Sequence, residues 1–329
     1  MAHHLTIVTD PIPFGRNFLI EYSKKFLRSL RNYFLGVPLG QDPYYRGHHA
    51  VTRSLIQGLD KINCKYVYNP QRFKKETDVL LVLSGVKTLE QAIELKKRGL
   101  IKKLIAGPNI IIFSSDHNNL IANSWIDIII TPAEIINDLY ILDNPSLKGR
   151  ISSWPAGVNT NYWIPDDNKR KKQILIYEKQ VKGPVGPISP YVHYLQNSGY
   201  DVRVIQYGSY SLAEYLSELQ KSILMIGFVT DESQGIAWAE AWSSDVPTFI
   251  WNNHTNVYRG RSYLCSTAPY LTDENGIFFD DFSDFQIKFN QWEKGHFKFQ
   301  PRKWCLENMS DEVCAQKLID IVHSIENPA

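Results

Sequence analysis

Two carboxylate residues in one short segment are the strongest chemical signal in the sequence. Glu232 and Glu240 are separated by seven residues within the segment DESQGIAWAEAW, at 231–242. Apolar runs before and after the segment are typical of buried parallel strands. The pattern predicts a strand, a loop holding Glu232, a helix that begins near Ser233 and holds Glu240, and a second strand. Two helical turns span about 11 Å, so the two acids suit two separated hydroxyl groups of one extended ligand.

The position of this segment predicts a ligand site at the edge of a sheet. Ser233, Gln234 and Gly235 lie at the predicted helix start, where backbone N–H groups point past the carboxyl ends of the strands. A glycine there lets a ligand approach the backbone closely. A capped amphipathic helix with two solvated acids explains the same spacing equally well, since acidic residues are common where helices begin. The spacing alone leaves both interpretations open.

The segment ESQGIAWAEAWSSDVPTFIW, at 232–251, resembles the donor-sugar motif of GT-B glycosyltransferases. It is most similar to the large family of retaining, nucleotide-sugar-dependent enzymes called group-four transferases. A second segment, WPAGVNTNYWIP at 154–165, is similar to the hinge segment of that family, and the two have the family's order and separation. The resemblance implies an α/β protein of the GT-B fold, in which two Rossmann-like doubly wound domains face each other across a cleft.

The resemblance assigns roles to charged residues, with one departure from the family pattern. It implies that Glu240 binds the ribose hydroxyls and Glu232 the donor sugar. Family members carry an Arg, four residues and then Lys-Gly, whose cations hold the donor diphosphate. Lys182 and the glycine after it match the second half, whereas Tyr177 takes the place of the Arg and Lys179 is the cation that compensates. A lysine is a mobile point charge and not a planar guanidinium group, so the contact with the diphosphate would differ from that of the family's arginine. The alternative is that Lys179 and Lys182 are two exposed loop lysines without a role in binding.

The resemblance also implies which residues hold the nucleotide sugar and which face the reacting atoms. The donor-binding set consists of Lys179, Lys182, Ser233, Gln234, Gly235, Glu240, Tyr207 and Gly208, and the catalytic candidates are Glu232 and His117. Tyr207 follows a predicted strand at 201–205, where its ring offers a stacking surface for the base. His117 follows a predicted strand of the first domain, where many relatives have a histidine facing the sugar. A packed tyrosine and a surface histidine are the respective alternatives.

Composition limits the class of protein. The chain has 329 residues, which suits two domains, and a formal net charge of +2, which gives no strong case for a nucleic-acid partner. Its four cysteines are widely spaced without a CxxC pair, so structural zinc and a disulfide scaffold are both disfavoured. The sequence has no recognisable signal peptide and no apolar stretch of the ~20 residues that a membrane span needs. These features predict a cytoplasmic protein.

The alternation of predicted strands and helices gives the domain layout. Residues 1–165 are predicted to form the first domain, 166–310 the second and 311–329 a final helix. The resemblance implies that the first is the acceptor-side domain, that the second binds the nucleotide-sugar donor, and that the final helix crosses back to the first domain. A helix with one basic face is predicted at 18–34; it either packs on its own domain or makes weak peripheral contact with anionic lipid. Near the end of the donor domain, the pattern predicts a loop at 252–260, and the segments 265–271 and 276–279 resemble the closing strands of the family.

The chemistry of sugar transfer decides which function fits these residues. Departure of a nucleoside diphosphate places growing negative charge on the phosphate, which a metal or preorganised cations and N–H donors can stabilise. No Asp-x-Asp motif ends a predicted strand, so the sequence favours lysines and no cofactor. It predicts a metal-independent, hexosyltransferase-like glycosyltransferase acting on a glycan, a lipid-linked or a small-molecule acceptor. The resemblance, and not the residues themselves, implies that the reaction retains the anomeric configuration. A nucleotide-sugar epimerase and a non-catalytic sugar-nucleotide-binding protein, the latter motivated by the missing Arg, remain alternatives. A dehydrogenase is disfavoured because no GxGxxG follows the first strand.

Overall fold

A computed structural model of the protein describes residues 5–9, 47–70, 77–179 and 187–326. These residues divide into two compact units, which are described separately. The first unit takes in the described residues up to Ala156 and those from Cys314 onwards, and the second runs from Gly157 to Val313. The helix predicted at 18–34 lies outside the described residues, as does Lys182, so lipid contact and the role of that lysine stay predictions.

The first unit is built on a parallel sheet. Its strands are β1 (Leu5–Val8), β2 (Tyr66–Tyr68), β3 (Thr77–Ser84), β4 (Ile101–Asn109), β5 (Ile128–Thr131) and β6 (Ile151–Ser153). They pair in the order β2-β1-β3-β4-β5-β6. The helices between them are α1 (His48–Lys61), α2 (Val86–Lys97) and α3 (Glu134–Asp143). This is the predicted alternation of strand and helix.

The centre of this sheet is buried on both faces. Residues 79–83 of β3 are fully buried, which is why the strand is a continuous apolar run. Leu80 and Val82 point to the face covered by α2 and α3, where they pack with Leu89, Ile93 and Tyr140. Helix α2 follows from the spacing of its apolar residues, which recur every three to four positions along one side.

The second unit also contains a parallel sheet. Its strands are β7 (Gln173–Lys179), β8 (Asp201–Gln206), β9 (Ser222–Val229), β10 (Thr248–Trp251), β11 (Thr255–Tyr258), β12 (Arg261–Leu264) and β13 (Gly276–Phe279). Five of them pair in the order β13-β10-β9-β7-β8, while β11 and β12 form a separate antiparallel hairpin. The helices are α4 (Ser189–Asn197), α5 (Leu212–Lys221), α6 (Ile236–Ser243), α7 (Phe282–Glu293) and α8 (Pro301–Asn308). Helix α9 (Asp311–Glu326) begins in this unit, and its residues from Cys314 onwards belong to the first.

The second sheet separates two aromatic-rich cores. Leu175 and Tyr177 of β7 point to one face, where they pack with residues of α5, α6 and α8. The alternate positions, Ile174 and Ile176, point to the other face, which α4 and α7 cover. Helix α6 is buried nearly all round, with Trp242 in edge contact with Trp304 of α8 at 5.2 Å between ring centroids. This burial fixes the helix against the sheet.

Three local predictions in the second unit differ from the structure. Helix α6 begins at Ile236, not near Ser233, because Gly235 has a left-handed φ of 81° that a helix cannot include. The segment predicted as a loop at 252–260 contains β11, and 265–271 is irregular, with β12 ending just before it. The strands of the hairpin are only four residues long and half exposed, so their apolar periodicity is weak.

The chain's last helix begins as predicted. The Ser310 hydroxyl accepts a hydrogen bond from the backbone N–H of Val313 at 3.2 Å, which caps α9. From Cys314 onwards its residues belong to the first unit, where the Cys314 carbonyl accepts a hydrogen bond from the Trp154 indole at 2.8 Å. Among the helices of the described residues, none is long and apolar enough to cross a membrane. All four cysteines are free thiols.

Candidate donor site

The site lies at the carboxyl edge of the second sheet, beyond β7 and β9. These strands are neighbours, and β8 lies on the far side of β7. The connection from β7 to β8 therefore runs one way along the sheet, and the connection from β8 to β9 runs back past β7 the other way. In doubly wound sheets, ligands bind at the carboxyl edge at such a switch point. Lys179 ends β7, and Glu232 follows β9 by three residues. Their side chains meet there, with the Lys179 Nζ atom 2.6 Å from Glu232 Oε1.

Lys179 lies close in the chain to Tyr177, which stands at the arginine position of the predicted motif. Tyr177, at the arginine position, is 2% exposed and packs in an aromatic cluster with Tyr210, Tyr215 and Trp238. Its side chain therefore belongs to the core. Lys179 lies two residues further on the same face of β7, which brings it to the sheet edge. Its ammonium group stands 4.8 Å above the ring centroid of Tyr207, a cation–π contact.

The charges around this ion pair do not balance. Asp231 precedes Glu232, so the cluster holds two carboxylates and one ammonium group. Burial raises the pKa of Glu232, and Asp231 raises it further, which together outweigh the opposing effect of Lys179. Burial likewise raises the pKa of Asp231. Burial by itself lowers the pKa of Lys179, but attraction to the two carboxylates leaves it above its ordinary value. Burial is thus the main cause of the raised pKa at the two carboxylates, whereas attraction to Glu232 and Asp231 raises the pKa of Lys179.

These shifts predict how stability depends on pH. Because the folded-state pKa of Glu232 lies above its ordinary value of 4.5, the folded protein binds more protons than the unfolded chain between the two values. The free energy of unfolding is therefore expected to fall as pH rises through that window. Glu232→Gln should make the fall shallower in urea unfolding measured between mildly acidic and neutral pH. Glu178→Gln, on the opposite face of β7, is the control; equal slopes in the two variants would contradict the prediction.

Asp231 is held by a second group of side chains that sequence reasoning missed. The Tyr263 hydroxyl donates to Asp231 Oδ2 at 2.5 Å. The Asn256 side-chain amide donates to the same carboxylate oxygen at 3.4 Å and to the Tyr263 hydroxyl at 3.1 Å. Asp231 itself lies in the motif segment, but nothing in the sequence signals its two partners, which come from the hairpin 25 and 32 residues further along the chain.

Gly235 shapes the entry into helix α6. With φ at 81°, a Cβ atom here would lie 2.2 Å from Trp238 Cδ1. The Trp238 ring is itself fixed, because its indole N–H donates to the Thr267 carbonyl at 2.8 Å. Next to the glycine, Gln234 is 5% exposed and Ser233 is exposed. The backbone of the predicted donor loop therefore packs closely against the buried, hydrogen-bonded indole of Trp238.

Gly235→Ala is expected to destabilise the protein by about 1–3 kcal/mol through overpacking, in addition to the strain of a positive φ. The measurement is the free energy of unfolding in urea. Gly260→Ala is a matched control, since Gly260 has a φ of 77° but a Cβ atom added there would have no other atom within 4 Å. A loss of stability equal in both variants would assign the whole effect to backbone strain and contradict the proposed contact with Trp238.

Glu240 is buried on α6. It is 9% exposed, and Glu232 has a side chain 14% exposed, so the interpretation of two solvated acids on a surface helix is wrong. The Glu240 carboxylate lies close enough to Tyr215 to affect its titration. Burial raises the pKa of the Tyr215 hydroxyl, and the charge of Glu240 raises it further. The Tyr215 hydroxyl donates to the Ala237 carbonyl at 2.8 Å, which ties α5 to the turn of α6 that precedes Glu240.

The structure brings together some of the other predicted residues and not all. Tyr207 and Gly208 lie at the end of β8, where the Tyr207 N–H donates to the Glu178 carbonyl at 2.8 Å. His117 belongs to the first unit; it is exposed, with a φ of 52°, in a turn at 116–119. Within the ranges that the structure describes, no three His, Cys, Asp or Glu side chains gather as a metal site.

Comparisons with known proteins find relatives by structure alone. No protein-family model matches the chain, and no curated protein matches it. A glycosyltransferase from Rickettsia africae ESF-5 matches with a TM-score of 0.56 at 10% identity, over 100% of both chains. The lipopolysaccharide outer core galactosyltransferase WaaB matches at 0.59 and 13% identity, over 98% of this chain and 99% of WaaB. HepE of Anabaena, solved in complex with UDP-glucose, matches at 0.54 and 10% identity, over 98% of this chain and 100% of HepE.

The fold is GT-B. The matches span nearly the whole chain and include sucrose-phosphate synthase from Thermosynechococcus elongatus at a TM-score of 0.52. Two parallel sheets, one in each unit, fit the two Rossmann-like domains of that fold, so the predicted fold class is confirmed. Identities this low establish the fold and not the reaction. The group-four subclass therefore stays a prediction.

Proposed function

We propose that the protein is a glycosyltransferase that moves a sugar from a nucleoside-diphosphate sugar to an acceptor. The observation that carries the proposal is the contact between Lys179 and Glu232 at the switch point of the second sheet. A cation and a carboxylate stand side by side there, one suited to a diphosphate and the other to sugar hydroxyls. The likeness to glycosyltransferases, one of them solved with UDP-glucose, supports the same ligand class.

The proposed reaction requires stabilisation of the departing diphosphate. Lys179 would contribute positive charge, and backbone N–H groups around Ser233 and Gly235 would donate to phosphate oxygens at the start of α6. On donor binding, the diphosphate would compete with Glu232 for the Lys179 ammonium group and so release the carboxylate towards the sugar. Lys182 would add a second cation. We propose that the reaction is metal-independent because of these cations and N–H donors, and, from the resemblance alone, that it retains the configuration of the sugar.

The remaining roles are proposed from the resemblance. Glu240, buried on α6, would accept hydrogen bonds from the ribose hydroxyls. The exposed ring of Tyr207, which already packs against the Lys179 ammonium group, would face the base. His117 would act on the acceptor side. The acceptor class proposed is a glycan, a lipid-linked sugar or a small molecule.

A thermal-shift panel of UDP-, GDP-, ADP-, CMP- and dTDP-sugars, with and without EDTA, tests the donor assignment. We expect one nucleotide class to raise the melting temperature, and EDTA to leave that rise unchanged. Each nucleotide without its sugar is the matched control, because the difference isolates contacts to the sugar. Absence of any shift across the panel would reject the proposal.

One observation favours a second candidate, a non-catalytic sugar-nucleotide-binding protein. The arginine position of the family pattern is filled by Tyr177, whose side chain is buried in the core. On this candidate the donor still binds, but neither transfer nor hydrolysis follows. Single-turnover incubation of the stabilising donor with a mixture of sugar acceptors separates the two: release of free nucleoside diphosphate supports transfer, and an intact donor supports the binding protein.

A further inference from the structure

The hairpin of β11 and β12 is built to hold its shape. Its two strands pair antiparallel, with Asn256 opposite Tyr263. The connecting residues, Arg259 and Gly260, both have positive φ, at 51° and 77°. Two successive residues of this kind match the twist of the flanking strands and give a tight two-residue turn. The pairing and the tight turn therefore fix which side chains lie on each face of the hairpin.

The two faces of the hairpin differ. One face is exposed, and Leu264 and Val257 on it are 70% and 64% exposed. The other face carries Asn256 and Tyr263, which are partly buried because they contact Asp231. The hairpin thus turns its polar, hydrogen-bonding side towards the loop that follows β9.

Every residue of that loop as far as Glu232 is bound by the hairpin or by the segments at its ends. The Thr230 carbonyl accepts from the Asn253 side-chain amide at 2.8 Å. The Asp231 carboxylate accepts from Tyr263 at 2.5 Å and from Asn256. The Glu232 N–H donates to the Ser266 carbonyl at 2.9 Å. Three consecutive residues are thereby fixed, and the third of them carries the carboxylate that pairs with Lys179.

The Tyr263 contact is the strongest of these restraints. A hydrogen bond to an ionised acceptor is shorter and stronger than one between neutral groups, and 2.5 Å lies at the short end of that class. Loss of the hydroxyl would leave the Asp231 carboxylate with the longer Asn256 bond, beside Glu232 and its like charge. Asp231 would then move or take up a proton, and the backbone of Glu232, its chain neighbour, would move with it.

We propose that the β11–β12 hairpin positions the donor-site loop, with Tyr263 as the positioning residue that holds Glu232 in place through Asp231. This inference rests on the proposed function for its effect on the donor, but the positioning itself is a property of the unliganded protein. Tyr263 does not touch the substrate in this scheme. It sets where the Glu232 carboxylate and its partner Lys179 stand when the donor arrives.

Tyr263→Phe tests the proposal with two separate measurements. In hydrogen–deuterium exchange of the unliganded protein, the amides of residues 230–235 are expected to exchange faster, while those of α7 stay unchanged. In calorimetry, affinity for the nucleotide sugar that stabilises the wild type is expected to fall about tenfold, the equivalent of one hydrogen bond to a charged group. The Tyr263 hydrogen bond lowers the pKa of Asp231, so its loss in Tyr263→Phe should raise that pKa. The pH at which titration of Asp231 changes the donor affinity should therefore be higher in the variant than in the wild type.

The matched control is Tyr200→Phe, which removes another tyrosine–carboxylate hydrogen bond of the same unit, at 2.9 Å to Glu293. It should change neither exchange at 230–235 nor donor affinity. Asn256→Ala is the second variant, expected to act in the same direction with a smaller effect, and it serves if Tyr263→Phe folds poorly.

Unchanged exchange at 230–235 in both hairpin variants would overturn the positioning role, whatever the donor result. Faster exchange with unchanged donor affinity and pH profile would also overturn it, because the loop would then move without consequence for the ligand. A wild-type protein that binds no nucleotide sugar would instead overturn the proposed function, and with it the donor effect claimed for Tyr263.

Discussion

Lys179→Met is expected to lower the rate of sugar transfer by about 10²–10³-fold, the usual cost of removing one preorganised group that stabilises charge in the transition state. Lys179 is the cation that the described structure places at the switch point beside Glu232. Methionine keeps much of the side-chain volume and the packing on Tyr207 but carries no charge. The expected loss is therefore electrostatic, and it should appear in kcat as well as in affinity for the nucleoside diphosphate.

The same substitution carries a cost in stability that must be measured separately. Without the ammonium group, the carboxylates of Asp231 and Glu232 stand together without the compensating charge. Breaking one side of a buried pair typically costs about 3–5 kcal/mol, and the partial exposure of Lys179 places this case at the lower end. The double variant Lys179→Met with Glu232→Gln should recover part of the free energy of unfolding but none of the activity.

Lys172→Met is the matched control for this lysine. Lys172 belongs to the same unit, precedes β7, and holds its ammonium group 4.4 Å from the ring centroid of Tyr200, so it repeats the cation–π contact at the opposite end of the strand. We expect it to leave kcat and nucleotide affinity unchanged. A Lys179→Met variant that folds and transfers sugar like the wild type would contradict the assignment of Lys179 to the diphosphate.

The strands and the helix that carry the candidate donor site could be predicted from sequence because their signals are local. Apolar runs define β9 and β10, and α6 lies between them as the pattern indicates. The first turn shows the limit: the pattern includes Gly235 in the helix, yet its left-handed φ places the boundary after it. Local sequence preference predicts that a helix forms here. The residue at which the helix begins depends on tertiary packing, such as the close approach of Gly235 to Trp238.

The charge pairing at the site could be predicted only in part. The resemblance marks Lys179 and Glu232 as members of one site, but their direct contact joins residues 53 positions apart and depends on the order of the strands. The Tyr263 and Asn256 contacts to Asp231 have no sequence signal at all. They come from a hairpin whose strands of four residues alternate between half-buried and exposed positions, a pattern that polar loops also show.

Glu240→Ala is expected to weaken binding of the nucleoside diphosphate by about 10- to 100-fold, the loss of one or two hydrogen bonds that ribose hydroxyls donate to the carboxylate. Glu240 is almost fully buried on α6, so its carboxylate is held by the helix and not by a mobile loop. Alanine favours the helix, which limits the damage to the fold. Glu240→Gln, which keeps one acceptor oxygen without the charge, should fall between the wild type and Glu240→Ala.

The comparison of Glu240→Ala with Glu232→Gln separates the two acids by ligand. If Glu240 binds ribose, its variant weakens the nucleoside diphosphate and the nucleotide sugar by the same factor, because both ligands carry the ribose. If Glu232 binds the donor sugar, its variant weakens the nucleotide sugar more than the nucleoside diphosphate. Titration calorimetry of each variant with both ligands gives these four ratios. A Glu240 variant that weakens the nucleotide sugar more than the nucleoside diphosphate would contradict the assignment of Glu240 to the ribose. A Glu232 variant that weakens both ligands by the same factor would contradict the assignment of Glu232 to the sugar, because the two ligands differ only in the sugar.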